Sequence, residues 1–424
     1  MKLARAAALL LVILLSAASS FSYSVLTHEA IVDLLWDSNL RPLIQSRFPG
    51  LTDDQIKEAH AYAYGGSVIQ DLGYYPFGSK QFSDLVHYVR SGDFVLEMVK
   101  QSKDANEYAF ALGAMAHYMA DVDGHPAVNQ AVSLHYPKLR AKYGKSVTYE
   151  QDKSAHLKTE FGFDVSQVAK HRYAPEDYHD FIGFEVSESL LERVFPVVYG
   201  MDLKDVLAHE DLAVGSYRWA ISQLIPKMTK VALQIHGKEI VSETPNFQKR
   251  KFLYRLRRAD YEKTWGNKYQ KPGFGTRFLA VLLKLVPKIG PFRGLDFNVP
   301  SRQTEDLYIA SINKTFEDCR VLFEKSKTAP PELPDRDLDT GAPTKPAEYA
   351  LSDEAYAHLV TELAEKKFAQ TSPELRDNIL AFYATATAPV KPTKGGTKWE
   401  KVSAALDQLR SSQPSSASAA NPTD

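Results

Sequence analysis

Between residues 23 and about 240, apolar side chains recur every three to four positions, as at Ala30, Ile31, Leu34 and Leu35 and again at Phe110, Leu112, Met115 and Met119. On a helix this spacing gathers the apolar groups on one face, whereas a strand would alternate them. Alternation of that kind is scarce here. The pattern predicts an all-α, multi-helix domain, punctuated at Pro137, Pro175 and Pro226, with Gly65-Gly66 breaking the chain ahead of a loop rich in aromatics.

The pattern changes at both ends. Lys2 and Arg5 precede an apolar run over residues 6–15 and then small residues, which reads as an export signal over 1–22. Cleavage after Ser22 fits a small-x-small rule, as does cleavage after Ser20 or Ala18. Beyond residue 240, a basic and aromatic stretch (Lys249, Arg250, Lys251, Tyr254, Arg255, Arg257, Arg258) precedes an apolar run over 278–286, giving an extension over 241–327. Such a stretch suits peripheral contact with an anionic membrane, a nucleic-acid backbone, or merely the solvated face of another helix. Residues 328–348 carry Pro330, Pro331, Pro334, Pro343 and Pro346 with little apolar content and are expected to form an extended linker. A short helical region over 349–410 follows, with Ser372-Pro373 as an N-cap and first helical position, and a disordered tail over 411–424.

Composition narrows the picture. At 424 residues and 44% hydrophobic content the chain can bury a substantial core. Its 51 Lys and Arg against 52 Asp and Glu remove any global electrostatic case for nucleic acid. The single cysteine, Cys319, forbids an intramolecular disulfide and is expected to be buried and inert. No later stretch approaches the roughly 18 uninterrupted apolar residues of a spanning helix, so the mature chain is expected to be soluble or peripheral.

Three strings carry chemistry. In His117-Tyr-Met-Ala-Asp121-Val-Asp-Gly-His125, His117 and Asp121 stand one helical turn apart and can reach one metal ion, while Gly124 is expected to let the backbone turn and redirect His125. In Asp152-Lys-Ser-Ala-His156-Leu-Lys-Thr-Glu160, His156 and Glu160 form a second such pair, with Asp152 placed to hydrogen-bond the far ring nitrogen of His156. Upstream, Asp71 lies in a Gly- and Pro-framed loop, His87 follows, and His28 stands five residues after Tyr23. Taken singly, each string has a bland alternative as a helix cap, a core histidine or a charged solvated face.

Taken together, in order, they resemble the zinc-dependent phospholipase C family and its relatives, the single-strand-specific zinc nucleases, over residues 23–160. The resemblance implies three Zn²⁺ ions. Asp71, His87, His117 and Asp121 would hold one and His125, His156 and Glu160 a second. The third would sit on His28, the bridging Asp121, and the amino nitrogen and carbonyl oxygen of Tyr23 once the signal is removed. Where the family carries an N-terminal tryptophan this chain has Tyr23, and Asp121 and His125 stand closer together than is usual there. His135 is the expected substitute for any misassigned ligand.

Six positive charges against the three of Asp71, Asp121 and Glu160 leave such a cluster attractive to an anion, and zinc lowers the pKa of water towards about 7. That fits hydrolysis of a phosphate diester by a zinc-activated hydroxide, with Asp71 as ligand, general base or both. The expected substrate is a phospholipid. The alternatives are a single-strand nuclease or nucleotidase of the same fold and a non-catalytic, metal-stabilised binding protein. Tyr74, Tyr75, Phe77 and Tyr88 are candidates for a choline cage or a base-stacking platform.

Overall fold

The computed structural model describes residues 25–170, 173, 183–243, 296–384 and 396–412. The export signal, Tyr23, Pro175, His171, His179, the basic stretch over 249–258, the apolar run over 278–286 and nearly all of the tail lie outside the described residues.

Among the described residues the regular structure is helical throughout, in line with the three-to-four spacing. The first helices are α1 (Val25–Leu35), α2 (Arg41–Arg47), α3 (Asp53–Gly66), α4 (Lys80–Tyr88), α5 (Ser91–Gln101) and α6 (Ala105–His135), then α7 (Pro137–Tyr143) and α8 (Lys153–Ala169). After these come α9 (Glu188–Tyr199), α10 (Leu203–Val206), α11 (Glu210–Trp219), α12 (Ile225–Glu243), α13 (Arg302–Ser326), α14 (Ala350–Glu365), α15 (Pro373–Ala384) and α16 (Trp399–Ser411). No described helix is long and apolar enough to cross a membrane.

The central element is α6, 31 residues long and buried on most of its faces. Asp104 caps it by accepting from Glu107 N at 2.9 Å, while the Glu107 carboxylate accepts from Lys103 N at 2.8 Å, so two otherwise orphaned donors are met. The sequence suggested a turn at Gly124, but α6 runs straight through Gly124, His125 and Pro126. The tight packing around this segment overrides local propensity. His117, Asp121 and His125 therefore share one face at successive four-residue steps, and no redirection is needed.

Two glycines let α3 lie against α6 backbone to backbone. A Cβ on Gly66 would stand 1.9 Å from Phe110 O, and one on Gly113 would stand 2.1 Å from Ala63 O. Gly66 thus does more than end α3 before the short turn at Ser67. On its other side α6 packs against α13, whose Tyr308, Ile312, Phe316, Cys319 and Phe323 join the same core as Val25 and Tyr64. Cys319 is buried, and burial pushes its thiol well above the ordinary range, consistent with an inert residue.

The segment over 328–348 lacks helix, as its prolines require, but it is not a free spacer. Leu338 is fully buried, Asp337 and Asp339 nearly so, and Tyr118 OH donates to Pro334 O at 2.5 Å. Asp335 accepts from Gly92 N and Asp93 N at 3.1 and 3.2 Å, capping α5 from a distance of over two hundred residues in sequence.

Candidate metal centre

Five elements converge on one buried cluster. Helix α1 brings His28, the 3₁₀ turn Ile69–Tyr74 brings Asp71, α4 brings His87, α6 brings His117, Asp121 and His125, and α8 brings His156 and Glu160. All eight side chains are essentially inaccessible to solvent. They form three groups, the first two sharing His117: His28, His117 and Asp121; Asp71, His87 and His117; and His125, His156 and Glu160. Tyr23 is outside the described residues.

Asp121 is the centre. Its two oxygens lie 3.6 Å from His28 Nε2, 3.6 Å from His87 Nε2, 3.0 Å from His117 Nε2 and 3.8 Å from His125 Nε2. Around it, His87 Nε2 stands 3.4 Å from Asp71 Oδ1, and Glu160 Oε1 is 3.4 Å from His125 Nε2 and 2.9 Å from His156 Nε2. Two donors bound tetrahedrally to one zinc at roughly 2.0–2.1 Å stand about 3.4 Å apart. Several of these separations are therefore too long for a hydrogen bond and suited to a shared ion.

The outward ring nitrogens decide the matter of fit. His87 Nδ1 donates to Ser83 O at 2.8 Å, His117 Nδ1 to Ser67 O at 2.8 Å, and His125 Nδ1 to Leu338 O at 2.6 Å. A carbonyl can only accept, so each neutral ring is fixed with its proton on Nδ1 and its Nε2 lone pair facing the cluster. His87 Nε2, His117 Nε2, Asp71 Oδ1 and both oxygens of Asp121 complete no hydrogen bond there, although all are buried. Burying that many unsatisfied acceptors is costly unless a cation meets them. Imidazole nitrogens with carboxylate oxygens are the donor set of zinc.

Without a cation, protons must serve. Burial pulls His87 down, but the adjoining carboxylate of Asp71, with the charge of Asp121, outweighs it and holds the ring up at about 9. Burial likewise disfavours the charged form of His125, and Asp121 and Glu160 together raise it well above its ordinary value. His28 goes the other way, lowered by burial and by His117. Burial alone would raise Asp121, yet the surrounding imidazoles of His117, His125 and His28 hold it far below the usual carboxylate range. Asp71 is raised, chiefly by burial. Metal entry at such a site displaces these protons.

Residues 27–207 match the family model described as zinc dependent phospholipase C. This segment belongs to the zinc-dependent phospholipase C family. No curated protein and no solved structure matches the chain. The phospholipase C segment contains every clustered side chain, whereas Leu338, whose carbonyl holds His125, lies well beyond it.

Two expectations need correction. Asp152 does not orient His156: it caps α8, accepting from Ala155 N at 2.9 Å. His135 is no substitute ligand, since its Nε2 meets Thr304 Oγ1 at 2.9 Å and it belongs to none of the three groups. Nor do the four aromatics form one cage. Tyr88 is fully buried with its hydroxyl on Asp339, Tyr75 packs edge-on against Tyr217, Phe77 is half exposed, and only Tyr74 and Tyr88 stand beside a clustered ring, that of His87, each within 6 Å.

Sequence reasoning also missed Asp164. It stands one further turn along the face of His156 and Glu160, and it accepts from Leu26 N at 3.0 Å and Thr27 Oγ1 at 2.6 Å, anchoring the helix that carries His28. The four-residue period of α8 was the available signal.

Proposed function

We propose that the protein is an exported, zinc-dependent phosphoesterase of phospholipase C type, hydrolysing phosphate diesters of phospholipids. The observation that carries this is the convergence, inside a zinc-dependent phospholipase C segment, of three His and carboxylate groups around Asp121. When bound, zinc supplies Lewis acidity, lowers the pKa of water and neutralises charge on a phosphate.

The protein's own residues do the remaining work. Ser67, Ser83 and Leu338 carbonyls lock three imidazoles in the metal-binding tautomer. Asp121 links the groups and keeps them within a few ångströms of one another, the spacing needed to act on entering and leaving oxygens together. Asp71 Oδ1, buried at the edge of the cluster, is the atom we assign to accept the proton of the attacking water. Export would expose Tyr23 as the mature terminus, whose amino nitrogen and carbonyl oxygen complete the His28 group.

Metal analysis of the mature protein, with hydrolysis assays on phosphatidylcholine, single-stranded DNA and mononucleotides, tests this reading. We expect two to three zinc ions per chain, cleavage of phosphatidylcholine, and at least a roughly 100-fold loss of kcat in Asp71→Asn. Activity confined to the nucleic-acid substrates moves the protein to the nuclease reading. Tight zinc with no phosphoesterase activity leaves a metal-stabilised binding protein. N-terminal sequencing of the exported form decides whether Tyr23 is free.

A further inference from the structure

The Pro-rich segment reaches the metal centre from outside the phospholipase C match. Its backbone bridges two helices that carry candidate ligands: Leu338 N donates to His87 O at 3.2 Å, and Leu338 O accepts from His125 Nδ1 at 2.6 Å. One residue therefore touches both the Asp71–His87 group and the His125–His156–Glu160 group. The next residue fixes it in place. Asp339 Oδ2 accepts from Tyr88 OH at 2.8 Å and Tyr349 OH at 2.5 Å, and Asp339 O accepts from Asn129 Nδ2 at 2.9 Å. The other carboxylate oxygen, Oδ1, lies 3.8 Å from His125 Nδ1.

The segment is seated on α6 at a point where that helix has room for it. Pro126 has no N–H to give to Val122 O, four residues back. Gly341, at φ +69, approaches the same carbonyl so closely that a Cβ would stand 2.4 Å from it.

We propose that Asp339 is a positioning residue of the metal centre. Acting through Leu338 and His125, it presents His125 Nε2 to the group formed with His156 and Glu160. A mere spacer has no need of a buried carboxylate held by two tyrosine hydroxyls, and a charge in that setting is poorly screened and acts strongly on the nearby imidazole. A carboxylate suits the position because two hydroxyl donors already meet Oδ2, while the free Oδ1 faces the N–H side of His125. An amide in its place would keep an acceptor for the tyrosines but turn an NH₂ towards that N–H and remove the charge.

This inference rests on reading His125, His156 and Glu160 as zinc ligands, so the experiment must separate the two. Zinc stoichiometry and chelator-competition affinities are measured for the full mature protein, Asp339→Asn, Tyr349→Phe and His156→Ala. Ligand-field spectra are recorded after cobalt substitution, and urea stability is measured without metal. His156→Ala should lose one ion outright. Asp339→Asn should bind one ion 10- to 100-fold more weakly, keep the others, shift the cobalt bands, and change metal-free stability much less in proportion. Tyr349→Phe should show a smaller shift of the same kind, and it stands in should Asp339→Asn fail to fold.

If His156→Ala loses an ion and Asp339→Asn binds all ions as the wild type does, the positioning role is overturned while the metal reading stands. If every ion weakens in step with metal-free stability, the segment is only structural and the proposal also falls. If His156→Ala loses no ion, the assignment of the ligand group itself is wrong.

Discussion

Replacing Gly113 with alanine should weaken zinc binding without touching a ligand. The added methyl would stand 2.1 Å from Ala63 O, 2.9 Å from Ala63 C and 2.9 Å from Ser67 N, all backbone atoms that no rotamer can move aside. Carbon and oxygen rest no closer than about 3.3 Å, so the C-terminal turn of α3 must move off α6 by roughly an ångström. Ser67 O sits in that turn and holds His117 Nδ1 at 2.8 Å, so the same movement breaks the bond that fixes the His117 tautomer. Overpacking costs roughly 1–3 kcal/mol, and the lost hydrogen bond about another 1 kcal/mol. Alanine's better helix propensity returns at most about 1 kcal/mol. Loss of the carbonyl partner should cost a further 10- to 100-fold in zinc affinity. Urea denaturation with and without metal, together with chelator competition, reads both effects. Gly215→Ala is the control, because it sits in helix α11 with nothing within 4 Å of its new methyl and should be neutral or slightly stabilised. Wild-type stability and zinc affinity in Gly113→Ala would refute the claim that this backbone contact positions His117.

Burial lowers His135 from 6.5 to about 4, so the folded state prefers its neutral form. Its stabilising effect is full above pH 6.5 and is lost as pH falls towards 4, by at most about 3 kcal/mol, and His135→Gln should flatten that limb in urea titrations of metal-free protein. Lys170 and Glu305 form a buried ion pair at 2.5 Å. Lys170→Met should cost roughly 3–5 kcal/mol by removing the cation bonded to this buried carboxylate, whereas Lys170→Met with Glu305→Leu should recover most of it, as a double-mutant denaturation series would show. Chelation of zinc should speed tryptic cleavage after Arg336, and equal cleavage rates with and without chelator would contradict any link between metal and the Pro-rich segment.

The clustered His and carboxylate residues and the all-helical class were legible in the sequence because both are local in period. His117, Asp121 and His125 repeat every four residues, as do His156, Glu160 and Asp164, and the apolar positions between them carry the same helical rhythm. The turn expected at Gly124 came from weighing one residue's propensity above the packing of a 31-residue helix. The role given to Asp152 failed for a related reason. An acidic residue just before a helix has a cap to make, and Asp152 makes it. The parts that stayed hidden are backbone carbonyls and distant partners. Ser67, Ser83 and Leu338 act through atoms that every residue has, so no side-chain pattern marks them.

The Pro-rich segment shows why composition alone misassigned it. Prolines and few apolar residues exclude helix and a large core contribution, and the segment indeed has neither. Yet a chain without regular structure still has backbone donors and acceptors that must be met when buried. Two of them are met at the candidate metal centre, Leu338 N by His87 O and Leu338 O by His125, while Asp339 O takes Asn129 and the Asp339 carboxylate takes Tyr88 and Tyr349. Linkage makes that relation reciprocal, because whatever free energy the segment contributes to holding His125 for zinc, bound zinc must contribute equally to holding the segment. If the clustered residues hold zinc as proposed, residues 334–341 and that cluster form one cooperative unit, although more than two hundred residues separate Leu338 from His125 and only His125 lies within the phospholipase C match.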